Sequence, residues 1–219
     1  VNTFEHLRFG TVGHPLPGTQ VRIAEDGEIL IKGRGVMRGY HNLPEQTAET
    51  LDAEGWLHTG DIGHVEDGFV KITDRKKDLI KTSAGKYVAP QMLERKLAVA
   101  CPYVSHSLAH GDNRNFVSML VALDPEAITK WAAAKGLGGR PYAEVVASKE
   151  VRDLIAPYID EVNADVASWE QVKKWTILPA DLTLETGDLT PSMKLKRKDV
   201  ERKYRQTLDG FYEGTVVDV

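Results

Sequence analysis

The sequence predicts an α+β chain in two parts, on three observations: strand–turn–strand patterns confined to the first third, a junction of charged residues at Asp74-Arg75-Lys76-Lys77-Asp78, and an apolar stripe of helical spacing from Val151 to Val166 set among further strands. The boundary falls in the junction. Residues 1–75 are expected to be β-rich and residues 76–219 to mix strands and helices.

In the first part, Gln20 to Ala24 alternates polar and apolar residues, Glu25-Asp26-Gly27 supplies a turn with a glycine available for positive φ, and Glu28 to Lys32 returns as a strand. Asn42 is placed to cap a short helix from Leu43 to Leu51, with Pro44 tolerated in the first turn, where no backbone donor is needed. A second hairpin follows: Ile62 to Glu66, the Asp67-Gly68 turn, and Phe69 to Thr73. In the second part, Pro90 to Ala100 reads as a helix and Phe116 to Leu123 as a buried strand, and Asp124-Pro125-Glu126 starts a helix running from Ala127 to Lys135. Val151, Leu154, Ile155, Tyr158, Ile159, Val162 and Val166 form one apolar stripe, which Pro157 is expected to kink or interrupt by removing a donor and crowding the preceding turn. Trp175 to Leu178 reads as a strand, Pro179 to Lys196 as a loop long enough to need a reason, and Lys198 to Leu208 as a charged helix.

Composition narrows the function classes. The 219 residues are 42% hydrophobic and 27% charged, ordinary for a globular protein with one or two modest cores. A formal net charge of −4 offers no global attraction for nucleic acid or anionic lipid, so any anion site is local. The single cysteine, Cys101, excludes an internal disulfide framework and fits a reducing compartment. No apolar run is long enough to span a bilayer, and Val1 to Glu5 lacks the basic-then-apolar order of a signal peptide. Without an initiator Met, the chain reads as an excised piece.

Three segments carry candidate chemistry. In Gly55-Trp56-Leu57-His58-Thr59-Gly60-Asp61, a glycine before an aspartate between strand-like segments lets the backbone turn sharply and aim a carboxylate whose two oxygens can accept both protons of a ribose diol. A turn aspartate bonding its own backbone is the plainer alternative. In Thr73 to Lys86, four cations within seven residues include Arg75, able to donate a fork of bonds to ribose or phosphate, although a solvated charged linker has the same composition. The small-residue run Thr82 to Gly85 would let a ligand approach its backbone, but it lacks the spacing of a phosphate-binding P-loop. In Gly187 to Arg197, a loop carrying Lys194 could bring an ammonium to developing negative charge, or simply be solvated.

Taken in order, Gly10-Thr11-Val12-Gly13-His14-Pro15-Leu16-Pro17-Gly18, Gly27 to Gly33, Met37-Arg38-Gly39-Tyr40, Gly55 to Asp61, Thr73 to Pro90 and Thr190 to Arg197 resemble the adenylate-forming superfamily of acyl-CoA synthetases, luciferases and peptide-synthetase adenylation domains. Lys86-Tyr87-Val88-Ala89-Pro90, Trp169 to Lys174 and Leu189 to Arg197 are most similar to long-chain fatty acyl-CoA synthetases. Met193 stands where much of the superfamily has glycine before the catalytic lysine, and Ala84-Gly85 where many members have Gly-Gly.

The resemblance implies that residues 1–75 are the last, distorted-barrel subdomain of a large N-terminal domain and residues 76–219 a small mobile C-terminal domain. It also implies roles: Asp61 on the ribose hydroxyls of ATP with Arg75 assisting, Lys77 as hinge, Lys194 as the catalytic cation of adenylation, and Ser83, Ala84 and Gly85 lining the path of CoA. The implied partners are a long-chain fatty acid, ATP, coenzyme A and the rest of that N-terminal domain, with no nucleic acid. A magnesium ligand is expected on a Tyr-Gly-x-Thr-Glu segment that, like the Ser/Thr/Gly-rich phosphate loop, lies upstream of these residues, and no metal ligand is expected within them. The chain alone is accordingly expected to fold without ligase activity. A cytoplasmic location is expected, with peripheral membrane contact and oligomeric state left open. Two other readings stay open: an adenylation domain loading a carrier protein, and a non-catalytic interaction module that keeps the fold.

Overall fold

The computed structural model describes residues 1–214 and divides into two units, Val1–Leu79 and a second beginning at Ile80. In the first, β1 (Thr19–Ile23), β2 (Glu28–Gly33), β3 (Leu57–Glu66) and β4 (Phe69–Arg75) form an antiparallel sheet in sequence order. The turn between β3 and β4 has Asp67 at φ 51° and Gly68 at φ 83°, the paired positive dihedrals that match the twist of two adjoining strands. Helix α1 (Pro44–Thr50) lies between β2 and β3, and a single 3₁₀ turn, Lys76–Asp78, ends the unit. Its buried apolar residues are few, chiefly Ile29, Leu30 and Val70, whereas Phe4 and Phe9 are almost fully exposed.

The second unit opens with a short hairpin, β5 (Ile80–Lys81) and β6 (Tyr87–Val88), followed by α2 (Pro90–Ala100). Its sheet has the order β7 (Val104–His110), β8 (Val117–Leu123), β9 (Val172–Ile177), antiparallel on one side of β8 and parallel on the other. The parallel pairing needs a crossover, which α3 (Pro125–Ala134), α4 (Tyr142–Val146) and α5 (Lys149–Ala164) supply. All seven residues of β8 are buried. Val117, Met119, Val121 and Leu123 pack into a core with Leu93 and Leu97 of α2, Ile128 of α3 and Ile155 of α5. Leu120 and Ala122 enter a second core with Leu108, Leu178, Leu182, Leu189, Val200 and Leu208. Side chains of period two on one strand thus supply both cores. The last helices among the described residues are α6 (Arg197–Lys203) and α7 (Arg205–Gly210).

Several expectations are corrected. Asn42 does not cap α1: it sits at φ 54°, and the cap position is Leu43 with no side-chain bond. Pro157 does not interrupt α5, which runs unbroken through it. The proline ring is exposed, so the carbonyl it deprives of a partner lies on the wet side of the helix. The C-terminal helix is two, broken at Tyr204, whose φ −105° and ψ 21° leave the helical region. Strand β3 begins at Leu57, so the segment read as a turn before Asp61 is itself strand, and β9 begins three residues before Trp175. Strand β7 and helix α4 were not anticipated. The Asp124 cap is present, its carboxylate accepting from the Ala127 N–H at 2.7 Å.

Candidate active site

Asp61 and Arg75 face each other across β3 and β4 as register partners. The Arg75 Nε donates to Asp61 Oδ1 at 2.8 Å, and both side chains stay partly open to solvent. Local backbone explains the aim of the carboxylate. Gly60 adopts φ 70°, a left-handed conformation that a side chain would oppose. Thr59 Oγ1 donates to the Ile29 carbonyl at 2.6 Å and accepts from the Asp61 N–H at 3.1 Å. Register shifts between Glu28 and Leu30 of β2 and between Ile62 and Gly63 of β3 break the regular pairing on either side. Asp61, Arg75, His58, Thr59, Tyr40 and Met37 line a cleft of about 670 Å³ within the first unit.

Behind this pair lies a residue that the sequence reading passed over as an ordinary strand position. Glu28 is 3% exposed, and its carboxylate accepts from Lys76 Nζ at 2.9 Å, His58 Nδ1 at 3.0 Å and the Gly60 N–H at 2.9 Å. Burial alone would push its pKa up, but the bonds from Lys76, His58 and Gly60 outweigh burial and hold it below the ordinary value. Lys76 also donates to Asp26 Oδ2 at 2.6 Å. These two carboxylates raise the Lys76 pKa, Asp26 contributing most.

Lys77 is exposed within the 3₁₀ turn, two residues before the division between the units. Ser83, Ala84 and Gly85 form the exposed bend of the β5–β6 hairpin. The bend is held by Gly85 N–H donating to Thr82 O at 2.8 Å and by Ser83 N–H donating to Arg114 O at 2.9 Å. A Cβ added at Gly85 would meet nothing within 4 Å, so only its φ of 75° argues for glycine there.

Lys194 is exposed on a tight loop closed by the Leu189–Leu195 bridge. The Met193 N–H donates to Thr190 O at 2.8 Å, and Thr190 Oγ1 accepts from the Lys194 N–H at 3.1 Å. Met193 itself takes φ 60°, the conformation for which glycine is suited. Fully buried Leu189 roots the loop in the second core. Its far end is fixed by Arg197, whose Nη2 donates to both carboxylate oxygens of Glu94 at 2.8 Å and whose Nη1 donates to the Ala109 carbonyl at 3.0 Å. The candidate residues therefore lie in two groups: Asp61 and Arg75 with Lys77 in the first unit, and Ser83 to Gly85 and Lys194 in the second. Among the described residues, no group of three or more His, Cys, Asp or Glu is placed to hold a metal ion.

Residues 77–216 match the family described as the AMP-binding enzyme C-terminal domain. The chain is 41% identical over 206 residues to FadD11 of Mycobacterium tuberculosis, named as a fatty-acid–CoA ligase, covering 94% of this chain and 36% of that protein. It is 39% identical over 214 residues to the long-chain-fatty-acid–CoA ligase FadD15 of the same species, covering 97% and 35%. Among solved structures, the A domain of carboxylic acid reductase from Segniliparus rugosus, in complex with AMP and a co-purified carboxylic acid, is similar with a TM-score of 0.69 and 25% identity over 93% of this chain and 32% of that one. The chain spans about a third of the length of these curated relatives. The family match covers more than half of the chain and its fold is shared with an AMP-bound adenylation domain, so the chain belongs to the AMP-binding, adenylate-forming enzymes.

Proposed function

We propose that these residues form the C-terminal part of an AMP-forming long-chain fatty-acid–CoA ligase, residues 1–75 completing its nucleotide site and residues 76–219 acting as its mobile small domain. The observation that carries the reading is the Asp61–Arg75 pair, set by register and by the left-handed Gly60 at the wall of a cleft. In this role the Asp61 carboxylate accepts the ribose hydroxyl protons of ATP, and Arg75 holds that carboxylate and donates beside it. Lys77 is the residue whose backbone turns as the small domain changes orientation.

In the first reaction a fatty-acid carboxylate oxygen attacks the α-phosphorus, and the bond to the bridging oxygen breaks. Pyrophosphate leaves with the electron pair. Lys194 supplies an ammonium to the charge that builds up at this step. In the second, the thiolate of coenzyme A attacks the acyl carbonyl carbon and AMP departs, with Ser83, Ala84 and Gly85 lining the route of the thiol. No residue described is assigned to the magnesium ion that ATP carries.

The test is Lys194→Ala in the complete ligase. Formation of acyl-AMP, followed by pyrophosphate exchange, is expected to fall about 100-fold or more. Thioester formation from supplied acyl-AMP should be largely retained. Equal loss of both half-reactions, or of neither, refutes the assignment of Lys194. Efficient transfer to a carrier protein with none to coenzyme A would favour the carrier-loading alternative.

A further inference from the structure

We infer that Glu28 is a positioning residue for the nucleotide site, holding Asp61 and Arg75 in place from both flanks. The inference rests on the proposed reading of Asp61 and asks what keeps that carboxylate where a ribose could meet it.

The Asp61–Arg75 ion pair cannot hold itself. Arg75 is about half exposed, and exposed ion pairs contribute little because water competes for both charges. The anchoring lies one residue outside the pair on each strand. Gly60 precedes Asp61 on β3 and Lys76 follows Arg75 at the end of β4, and both bond to the one carboxylate of Glu28, at 2.9 Å in each case. Oε1 takes the Gly60 N–H, while Oε2 takes Lys76 Nζ and lies 3.0 Å from His58 Nδ1. His58 shares the cleft wall with Asp61 and Arg75. Asp26 binds Lys76 from the same side, and its Oδ1 accepts the Glu28 N–H at 3.1 Å, so the β1–β2 turn is locked to the chain just beyond Arg75.

A buried carboxylate with three partners is not a cheap way to stabilise a small sheet. Desolvation opposes it, and a well-packed apolar residue of similar volume often serves stability as well or better. What the charged network supplies is fixed geometry, because each bond is directional and each member is held by the others. Its members surround one functional pair on adjacent strands, which assigns that geometry to the pair.

The experiment compares ATP with 2′-deoxy-ATP in acyl-AMP formation by the complete ligase. An aspartate accepting the 2′-hydroxyl proton gives the parent enzyme a preference for ATP, in kcat/KM, of about tenfold or more. Asp61→Ala, which leaves no side-chain acceptor, should abolish that preference. Glu28→Gln, which puts an amide against the Lys76 ammonium, and Lys76→Met, at a side chain about half exposed, should each reduce it to less than about threefold. Most of the change should fall in KM for ATP, and Lys76→Arg should restore it. If Asp61→Ala removes the preference while Glu28→Gln and Lys76→Met slow both nucleotides equally or leave both unchanged, Glu28 is only structural and the inference is overturned. Should Glu28→Gln fail to fold, Lys76→Met decides alone. If Asp61→Ala leaves the preference intact, the reading of Asp61 fails, and this inference with it.

Discussion

Replacing Arg197 by Met tests what secures the Lys194 loop. The Arg197 side chain is 19% exposed and that of Glu94 14%, so water can replace little of their contact. Ala109 is part of β7, an edge strand of its sheet, and on the side away from β8 its N–H donates to Glu94 Oε1 at 2.7 Å while its carbonyl accepts from Arg197 Nη1 at 3.0 Å. The two side chains thus take the place of a neighbouring strand at one residue. Arg197→Met removes both the counter-charge of Glu94 and the donor to Ala109. Breaking a buried pair from one side costs about 3–5 kcal/mol, and this part-buried pair is expected near the lower end of that range. For a unit of this size the melting temperature should fall by roughly 10 °C or more. Thermal unfolding of residues 1–219, followed by circular dichroism, measures it directly. The double variant Glu94→Met/Arg197→Met should lose less than the sum of the two single losses, because each single loss already contains the contact that the two side chains share. A single variant melting within about 2 °C of the parent, or losses that simply add, refutes the reasoning.

Other outcomes follow from single features. Met193→Gly should hold or raise the melting temperature, because relief of a left-handed conformation costing about 1 kcal/mol at an exposed side chain offsets the added freedom of the unfolded glycine; Met193→Val, β-branched at φ 60°, should lower it by at least about 1 kcal/mol. Pro157→Ala should stabilise α5 by about 1–3 kcal/mol, measured by denaturant unfolding. The lowered pKa of Glu28 contributes stability that is present above its ordinary value of 4.5 and lost as pH falls through the folded value, so urea unfolding of the first unit should show acid destabilisation below about pH 4.5 that Lys76→Met lessens. The raised pKa of Lys76 acts at the other end: its contribution is complete below 10.5 and is lost as pH rises through the folded value. Tyr142, pushed up to about 12 by burial and by the nearby Asp181, should ionise last in an ultraviolet titration.

Elements were legible where local pattern and tertiary burial agree. β8 reads as an unbroken apolar run because both its faces are covered, and the Asp67-Gly68 turn announces its hairpin through two residues tolerant of positive φ. β7 was not legible, because Ser105, His106 and His110 dilute its pattern. The partners that make two of these polar residues welcome lie far along the chain: Ser105 Oγ donates to Asp181 at 2.5 Å, and His110 Nδ1 lies 3.0 Å from Glu201. Pro157 misled for the opposite reason, since whether a proline disrupts a helix depends on which way its ring faces. The same limit governs the site. Asp61, Arg75 and Lys194 stand out through glycine, charge and loop context, but Glu28 gains its meaning from partners 30, 32 and 48 positions away. A glutamate opening a strand carries no local sign of being buried.

The hairpin that pairs Asp61 with Arg75 also constrains how this chain can change in length. Side chains alternate between faces with each step along a strand, so adding or deleting one residue between Ile62 and Thr73 would turn either the acid or the base toward the wrong side of the sheet. Two-residue changes would restore the facing but slide the partners out of opposition. Viable insertions in this region are therefore expected in the stretch between β2 and β3, where the chain already departs from regular pairing, while the Asp67-Gly68 bend keeps its length.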